Sequence, residues 1–180
     1  MMISLFFHCL NTNASAPLAV LSDEAKIVVA EQAHDTPQPQ EAVKSSLGES
    51  TFAMIKPDAI AAGNTGAIVT LIEKNGFTIV QMKKMIFTSE QAASFYAEHK
   101  DRSFYTDLMS YITSGPVIVM ELAKENAVSD WRKLIGSTDP VQAEVGTIRK
   151  MFGTSKSYNA VHGSDSVTSG KKEIMIIFGS

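Results

Sequence analysis

Cysteine is nearly absent. The 180 residues contain one, Cys9, so no disulfide can form within the chain and a Cys-based zinc site is excluded. Long apolar runs are also missing: no stretch approaches the about 18 consecutive apolar residues of a membrane-spanning helix. Positive charge is not in excess. A net charge of −3 argues against holding nucleic acid by bulk electrostatics. No GxxxxGK[ST] loop occurs, nor a GxGxxG loop after a strand, nor HRD, DFG or HExxH, which removes Walker-type, protein-kinase-type and zincin-type sites. The four histidines, His8, His34, His99 and His162, are far apart in sequence, so no dedicated metal site is expected. What is present is 44% hydrophobic residues and 19% charged residues. That composition can bury a core of one domain, with or without an appendage. It suits a soluble protein of a reducing compartment, and a cytoplasmic location is expected.

Charge and proline divide the chain near residue 50. Up to Ser50 there are two lysines against six acids, and three of the six prolines; beyond it there are fourteen basic and thirteen acidic residues. Residues 34–50 contain almost no large apolar side chain and read as a linker. Residues 18–33 suit a short helix that is marginal alone. Residues 3–10 are apolar, and Ala14-Ser15-Ala16 resembles a signal cleavage site. However, no Lys or Arg precedes the run and His8 breaks it, so export is kept only as the alternative. Asn13-Ala14-Ser15 fits a glycosylation sequon that has meaning only on export. The expected organisation is an extension over 1–48, poorly structured, and a domain over 49–180. Neither an internal repeat nor a low-complexity block occurs.

Within the domain the pattern alternates. A strand is expected over 51–55, stopped by Lys56-Pro57-Asp58. Apolar spacing predicts a helix over 65–75, ended by Gly76. A strand over 77–87 follows. Thr88 and Gln91 form a capping-box pattern that opens a helix through Phe95 and Tyr96. A helix over 104–112, a strand over 117–122, a helix over 125–135, a loop over 136–146, a strand over 159–162 and a helix over 165–178 complete the order. This is an α+β pattern. It fits a ferredoxin-like βαββαβ antiparallel sheet with helices packed on it, expected on one face.

The segment Asn159-Ala160-Val161-His162-Gly163-Ser164-Asp165-Ser166 draws attention. His162 closes an apolar strand, and Gly163 is expected to let the backbone turn and leave room at the ring. Neutral imidazole is a good nucleophile near pH 7 if its free lone pair is aimed, and Glu173, one helix later, is a candidate to accept the other N–H. On spacing alone the alternative is a partly buried histidine bonded to backbone. Of the three arginines, Arg132 and Arg149 flank the loop that carries Thr138. Planar guanidinium forks suit a polyphosphate, and solvated surface arginines are the alternative. Lys56 stands just past the first strand, where it either lines a site or is merely exposed.

Taken together, these residues resemble the nucleoside diphosphate kinase family. The resemblance spans about 51–178 and rests on MIKPD at 54–58, FYAEHKDRSFY at 95–105, SGP at 114–116, GSTDP at 136–140, GTIR at 146–149 and NAVHGSDS at 159–166. It implies ping-pong transfer of a terminal phosphate from a nucleoside triphosphate to a nucleoside diphosphate. By the same resemblance His162 is the transient phosphate carrier, through Nδ1. Lys56 is then expected at the sugar hydroxyl and the transferring phosphate, Tyr96 near the histidine, and Phe104 stacked on the base. Arg132, Thr138 and Arg149 are expected at the distal phosphates, Asn159 at the ribose hydroxyl, Ser164 beside the nucleophile and Glu173 orienting it. A stacking aromatic implies weak base discrimination. Mg²⁺ is expected to arrive with the nucleotide phosphates, with no protein metal cage. A homo-oligomer, tetramer or hexamer, is implied; neither a membrane nor a specific nucleic acid is an expected partner.

Two positions depart from the family pattern. Val145 replaces a common proline before GTIR, which removes a φ constraint from the loop. Lys156 stands where an apolar residue often meets the base, although its stem can still pack there. Two other readings compete with active transfer: a nucleotide-binding module on the same fold without transfer, and a nucleic-acid or scaffold role that the net charge disfavours.

Overall fold

A computed structural model describes residues 48–179. The expectations placed on 3–10, 13–15 and 18–33, and on 34–47 of the linker, lie outside the described residues. Within them the order is β1 (Glu49–Ile55), α1 (Pro57–Ala61), α2 (Thr65–Lys74), β2 (Thr78–Met85), α3 (Ser89–Phe95), a 3₁₀ turn (Ala97–His99), α4 (Tyr105–Ile112), β3 (Val117–Lys124), α5 (Ala127–Ile135), α6 (Ile148–Phe152), β4 (Val161–Gly163) and α7 (Val167–Phe178). The four strands form one antiparallel sheet in the order β2-β3-β1-β4. None of the described helices is long and apolar enough to cross a membrane.

Helices cover both faces of this sheet, not one as expected. Along β1, Phe52 and Met54 point to a layer with Val119, Phe95, Ile112, Ile174 and Ile177, from α3, α4 and α7. Ala53 and Ile55 point the other way, to Met120, Leu122, Ile68, Ile72 and Trp131, from α2 and α5. The two central strands are therefore buried along nearly their whole length. The signal was available: TFAMI and VIVMEL are near-continuous apolar runs, whereas a strand with one wet face alternates. Trp131 is fully buried in the second layer, and truncating such an indole to alanine costs about 3–5 kcal/mol.

Local chemistry sets the ends of the elements. Gln91 N donates to Thr88 Oγ1 and Thr88 N to Gln91 Oε1, each at 3.1 Å, so the capping box opens α3 as predicted. Ser166 Oγ accepts from Ser169 N at the start of α7, and Gly179 closes that helix in the left-handed region. Glu49 and Ser50, assigned to the linker by composition, instead begin β1 opposite Lys124 and Ala123. The Glu49 carboxylate also accepts from Val128 N at 2.7 Å in the first turn of α5. Helices α1 and α6 have five residues each, too few to print a helical period. Pro57 stops the strand and also serves as the first residue of α1.

Candidate active site

Strand β4 brings His162 beside Met54 of β1, on the face that carries Phe52, Phe95 and Tyr96. The imidazole lies 6.0, 5.4 and 6.2 Å, centroid to centroid, from those three rings. Its Nε2 is 2.9 Å from Glu173 Oε1. Ser164 Oγ donates to the other carboxylate oxygen at 2.6 Å, and Phe52 N donates to Ser164 Oγ at 3.2 Å. A carboxylate at this distance suits a proton on Nε2, with Nδ1 the ring nitrogen that Glu173 does not meet. Ser164 is fully buried behind this pair, and the His162 side chain keeps 23% of its surface exposed.

The cationic side chains Lys56, Arg132 and Arg149 converge from three segments. Lys56 Nζ donates to Asn159 Oδ1 at 2.6 Å. Asn159 Nδ2 in turn donates to the carbonyls of Thr138 and Lys156, at 3.0 and 2.9 Å. Arg149 donates through Nη1 to Gly136 O at 2.9 Å and through Nη2 to Val161 O at 3.1 Å, tying the 136–146 loop to β4. Burial, reinforced by the neighbouring Arg149 charge and partly offset by Asp58, brings Lys56 down to about 8. Burial, then Arg132, brings Arg149 down to about 10. An anion entering among these groups relieves their mutual repulsion. Tyr96 Oη is buried without a hydrogen-bond partner among the described residues. Its phenol is pushed up, by burial first and the Glu173 charge second, so it stays a protonated donor.

These groups border one cleft of about 1370 Å³, lined by Lys56, Tyr96, Asn159, His162 and Glu173 among others. Arg132 and Thr138 face the same space, with Arg149 deeper, and Phe104, half exposed, stands at the mouth. Ser164 alone of the predicted residues does not line it. Of the two departures, Lys156 is exposed at the cleft with Nζ 3.9 Å from Asp139, and Val145 is 92% exposed.

Two readings are corrected. Gly163 is not a turn residue making space for the imidazole, because it belongs to β4. A Cβ there would lie 2.3 Å from Trp131 Nε1, so glycine is required by the indole on the opposite face of the sheet. The strand itself begins at Val161, not Asn159, because Ala160 sits at φ +67° and Val161 N donates back to Asn159 O at 2.7 Å. This is a γ-turn of the rare positive-φ kind, a region that costs a non-glycine residue about 1–2 kcal/mol.

Sequence reasoning gave no role to Asp58, Tyr111 or His99. Asp58 accepts from Tyr111 Oη at 2.6 Å and from Ala160 N at 3.0 Å. His99 stacks on Tyr96 with centroids 6.1 Å apart and lines the cleft. Asp58 was visible within MIKPD, but its partners lie 53 and 102 positions away, beyond any local pattern.

The nucleoside diphosphate kinase family model matches residues 49–180. The chain belongs to the nucleoside diphosphate kinase family. It is therefore a phosphotransferase acting on nucleotides. A nucleoside diphosphate kinase of Geobacter sp. (strain M21) is 51% identical over 130 residues, covering 72% of this chain and 95% of that protein. One from Chlorobaculum tepidum is 48% identical over 132 residues, covering 73% and 94%. The Aquifex aeolicus nucleoside diphosphate kinase structure superposes with a TM-score of 0.71 at 40% identity, covering 72% of this chain and 94% of its own. A halophilic family member from Halobacterium salinarum, solved with CDP, gives 0.72 at 40% identity, covering 74% and 89%.

Proposed function

We propose that this nucleoside diphosphate kinase works by ping-pong transfer through a phosphohistidine on His162. The observation that supports the proposal is the Ser164–Glu173–His162 chain, which favours a proton on Nε2 and so Nδ1 as the nucleophile. In the first half-reaction the Nδ1 lone pair forms a bond to the terminal phosphorus of a nucleoside triphosphate. The bond from that phosphorus to the bridging oxygen breaks, and the nucleoside diphosphate leaves with the electron pair. In the second half-reaction a terminal oxygen of a different diphosphate takes the phosphoryl group, and Nδ1 recovers its lone pair. The positive charge that builds on the imidazole is balanced by Glu173, and Nε2–H has no other base to serve.

The remaining residues position and neutralise. Lys56 and Tyr96, both buried donors lining the cleft with His162, stabilise charge on the migrating phosphoryl oxygens. Arg132, Thr138 and Arg149 hold the distal phosphates, and Asn159, already bonded to Lys56, holds the ribose hydroxyl. Phe104 supplies a ring face at the cleft mouth. Every base has a π face, so broad base tolerance follows.

Among the described residues no three His, Cys, Asp or Glu groups gather as a metal cage. Two of the cleft carboxylates, Asp58 and Glu173, are already committed to donors within the protein. That donor set fits a Mg²⁺ ion that would arrive on the nucleotide phosphates and would neutralise oxygen charge there, while Arg132, Thr138 and Arg149 would hold the same phosphates. We further infer that residues 49–180 suffice for activity, that the chain assembles as a tetramer or hexamer, and that it acts in the cytoplasm. Export directed by residues 1–16 is the alternative, and mass spectrometry of the native N-terminus separates the two.

Incubation with γ-labelled ATP tests the mechanism. The wild type should yield an acid-labile, base-stable phosphoprotein that discharges onto added GDP. His162→Ala should lose both label and transfer while still binding ADP. Equal turnover in that variant would overturn the assignment.

A further inference from the structure

The turn that delivers His162 is held in an unfavourable shape, and its restraints come from one short segment. Ala160 is fully buried at φ +67°. Its carbonyl accepts from Lys56 N at 2.9 Å, and its N–H donates to Asp58 Oδ2 at 3.0 Å. The other oxygen of Asp58 accepts from Tyr111 Oη at 2.6 Å, which fixes the carboxylate in turn. Burial, then the bond to Asp58, pushes the Tyr111 phenol well above its ordinary range, so it remains a donor. Two residues of the 56–58 segment thus grip both backbone polar groups of one residue, Ala160. The residue before it, Asn159, accepts from Lys56 Nζ at 2.6 Å, and the residue two beyond it is His162.

We propose that Asp58 is a positioning residue: its carboxylate clamps the strained turn at Ala160, and so aims Asn159 and His162 at the nucleotide. This rests on the reading of His162 as the phosphate acceptor. Asp58 exchanges no proton or phosphate; it acts through the backbone of Ala160. Loss of the clamp leaves a buried N–H without an acceptor, and the turn escapes toward the ordinary negative-φ region. Displacement of a reacting group by about 1 Å is enough to slow a transfer a hundredfold.

The test uses the full chain with three variants and two readouts. Asp58→Ala should slow phosphohistidine formation from ATP by about ten- to hundredfold, with the KM for ATP held within about threefold. Amide hydrogen exchange at 160–162 should speed up in the same variant. Asp58→Asn should stay near the wild type in both readouts, because its amide oxygen still accepts from Ala160 N and its NH₂ can donate to Tyr111 Oη. The double variant Asp58→Ala/Ala160→Gly should recover most of the lost rate, since glycine adopts positive φ without a clamp. Should Asp58→Ala fail to fold, restored folding and labelling in the double variant would support the clamp, and continued failure would overturn it. Wild-type rate and exchange in Asp58→Ala would also overturn it, as would a loss that Ala160→Gly does not repair. The two readings fail separately. A wild type that takes no label on His162, with exchange still accelerated in Asp58→Ala, sinks the transfer mechanism and keeps the clamp. A labelled wild type with an indifferent Asp58→Ala does the reverse.

Discussion

Replacing Lys56 with methionine should stabilise the ligand-free protein at neutral pH while removing phosphate transfer. Lys56 is buried beside Arg149, which brings it from 10.5 to about 8. At 1.36 kcal/mol per pH unit, keeping it protonated in the fold costs about 3 kcal/mol. Methionine has a similar length and no charge. It forfeits the 2.6 Å bond to Asn159, and an acceptor stripped of its donor costs about 1–3 kcal/mol, so the net gain at pH 7 is about 1 kcal/mol. The pH dependence is more decisive than the size. Between pH 8 and 10.5 the unfolded lysine is protonated and the folded one is not, so unfolding takes up a proton and wild-type stability rises with pH. Methionine has no such proton. Relative to Lys56→Met, the wild type should therefore gain about 1.4 kcal/mol per unit above pH 8, or about 2 kcal/mol by pH 9.5. Urea unfolding of both proteins between pH 7 and 9.5 measures this directly. A stability difference that stays constant across that range would refute the claim that the cleft desolvates Lys56. Wild-type kcat/KM should fall over the same interval, as the free protein loses the charge that receives the phosphates.

Glu173→Gln should lower the single-turnover rate of His162 labelling by about 10–100-fold with little change in KM, because the amide keeps the bond to the ring but not the charge; an unchanged rate would show that Glu173 does not act on His162. Gly163→Ala should destabilise the domain by about 1–3 kcal/mol in urea, since its Cβ would meet the Trp131 indole at 2.3 Å, and an unaltered midpoint would disprove the packing argument. Deleting residues 1–48 should leave melting and turnover unchanged, whereas a large loss of thermal stability would mean the extension docks on the domain.

The legibility of the fold followed the length of each element. The helix at 65–74, the capping box at Thr88 and the strand from Val117 were readable because each has a period or a pairwise signal within a few residues. The five-residue helices α1 and α6 were not, and the covering of both sheet faces was missed although two unbroken apolar runs announced it. In the site, His162, Glu173, Lys56 and the arginine-bearing loop stood out as residue types suited to phosphate. Their assembly did not, because Lys56 and Asn159 are 103 positions apart and still share a 2.6 Å bond. Gly163 shows the same limit. Its conformational freedom was the local inference, but the space it leaves is filled from α5, on the opposite face of the sheet.

The sequence by itself determined the chemical inventory and the family: one imidazole followed by glycine and serine, three arginines, no metal-binding cluster of cysteines, and motifs in a fixed order. These depend on residue identity and short spacing, which the chain carries without folding. Only the tertiary structure decided which imidazole nitrogen meets Glu173, how far burial lowers Lys56, and that Asp58 reaches across to accept from Ala160 N. Each of those is set by solvent exclusion or by a contact between residues distant in the chain, and neither exists until the two layers of helices close over the sheet.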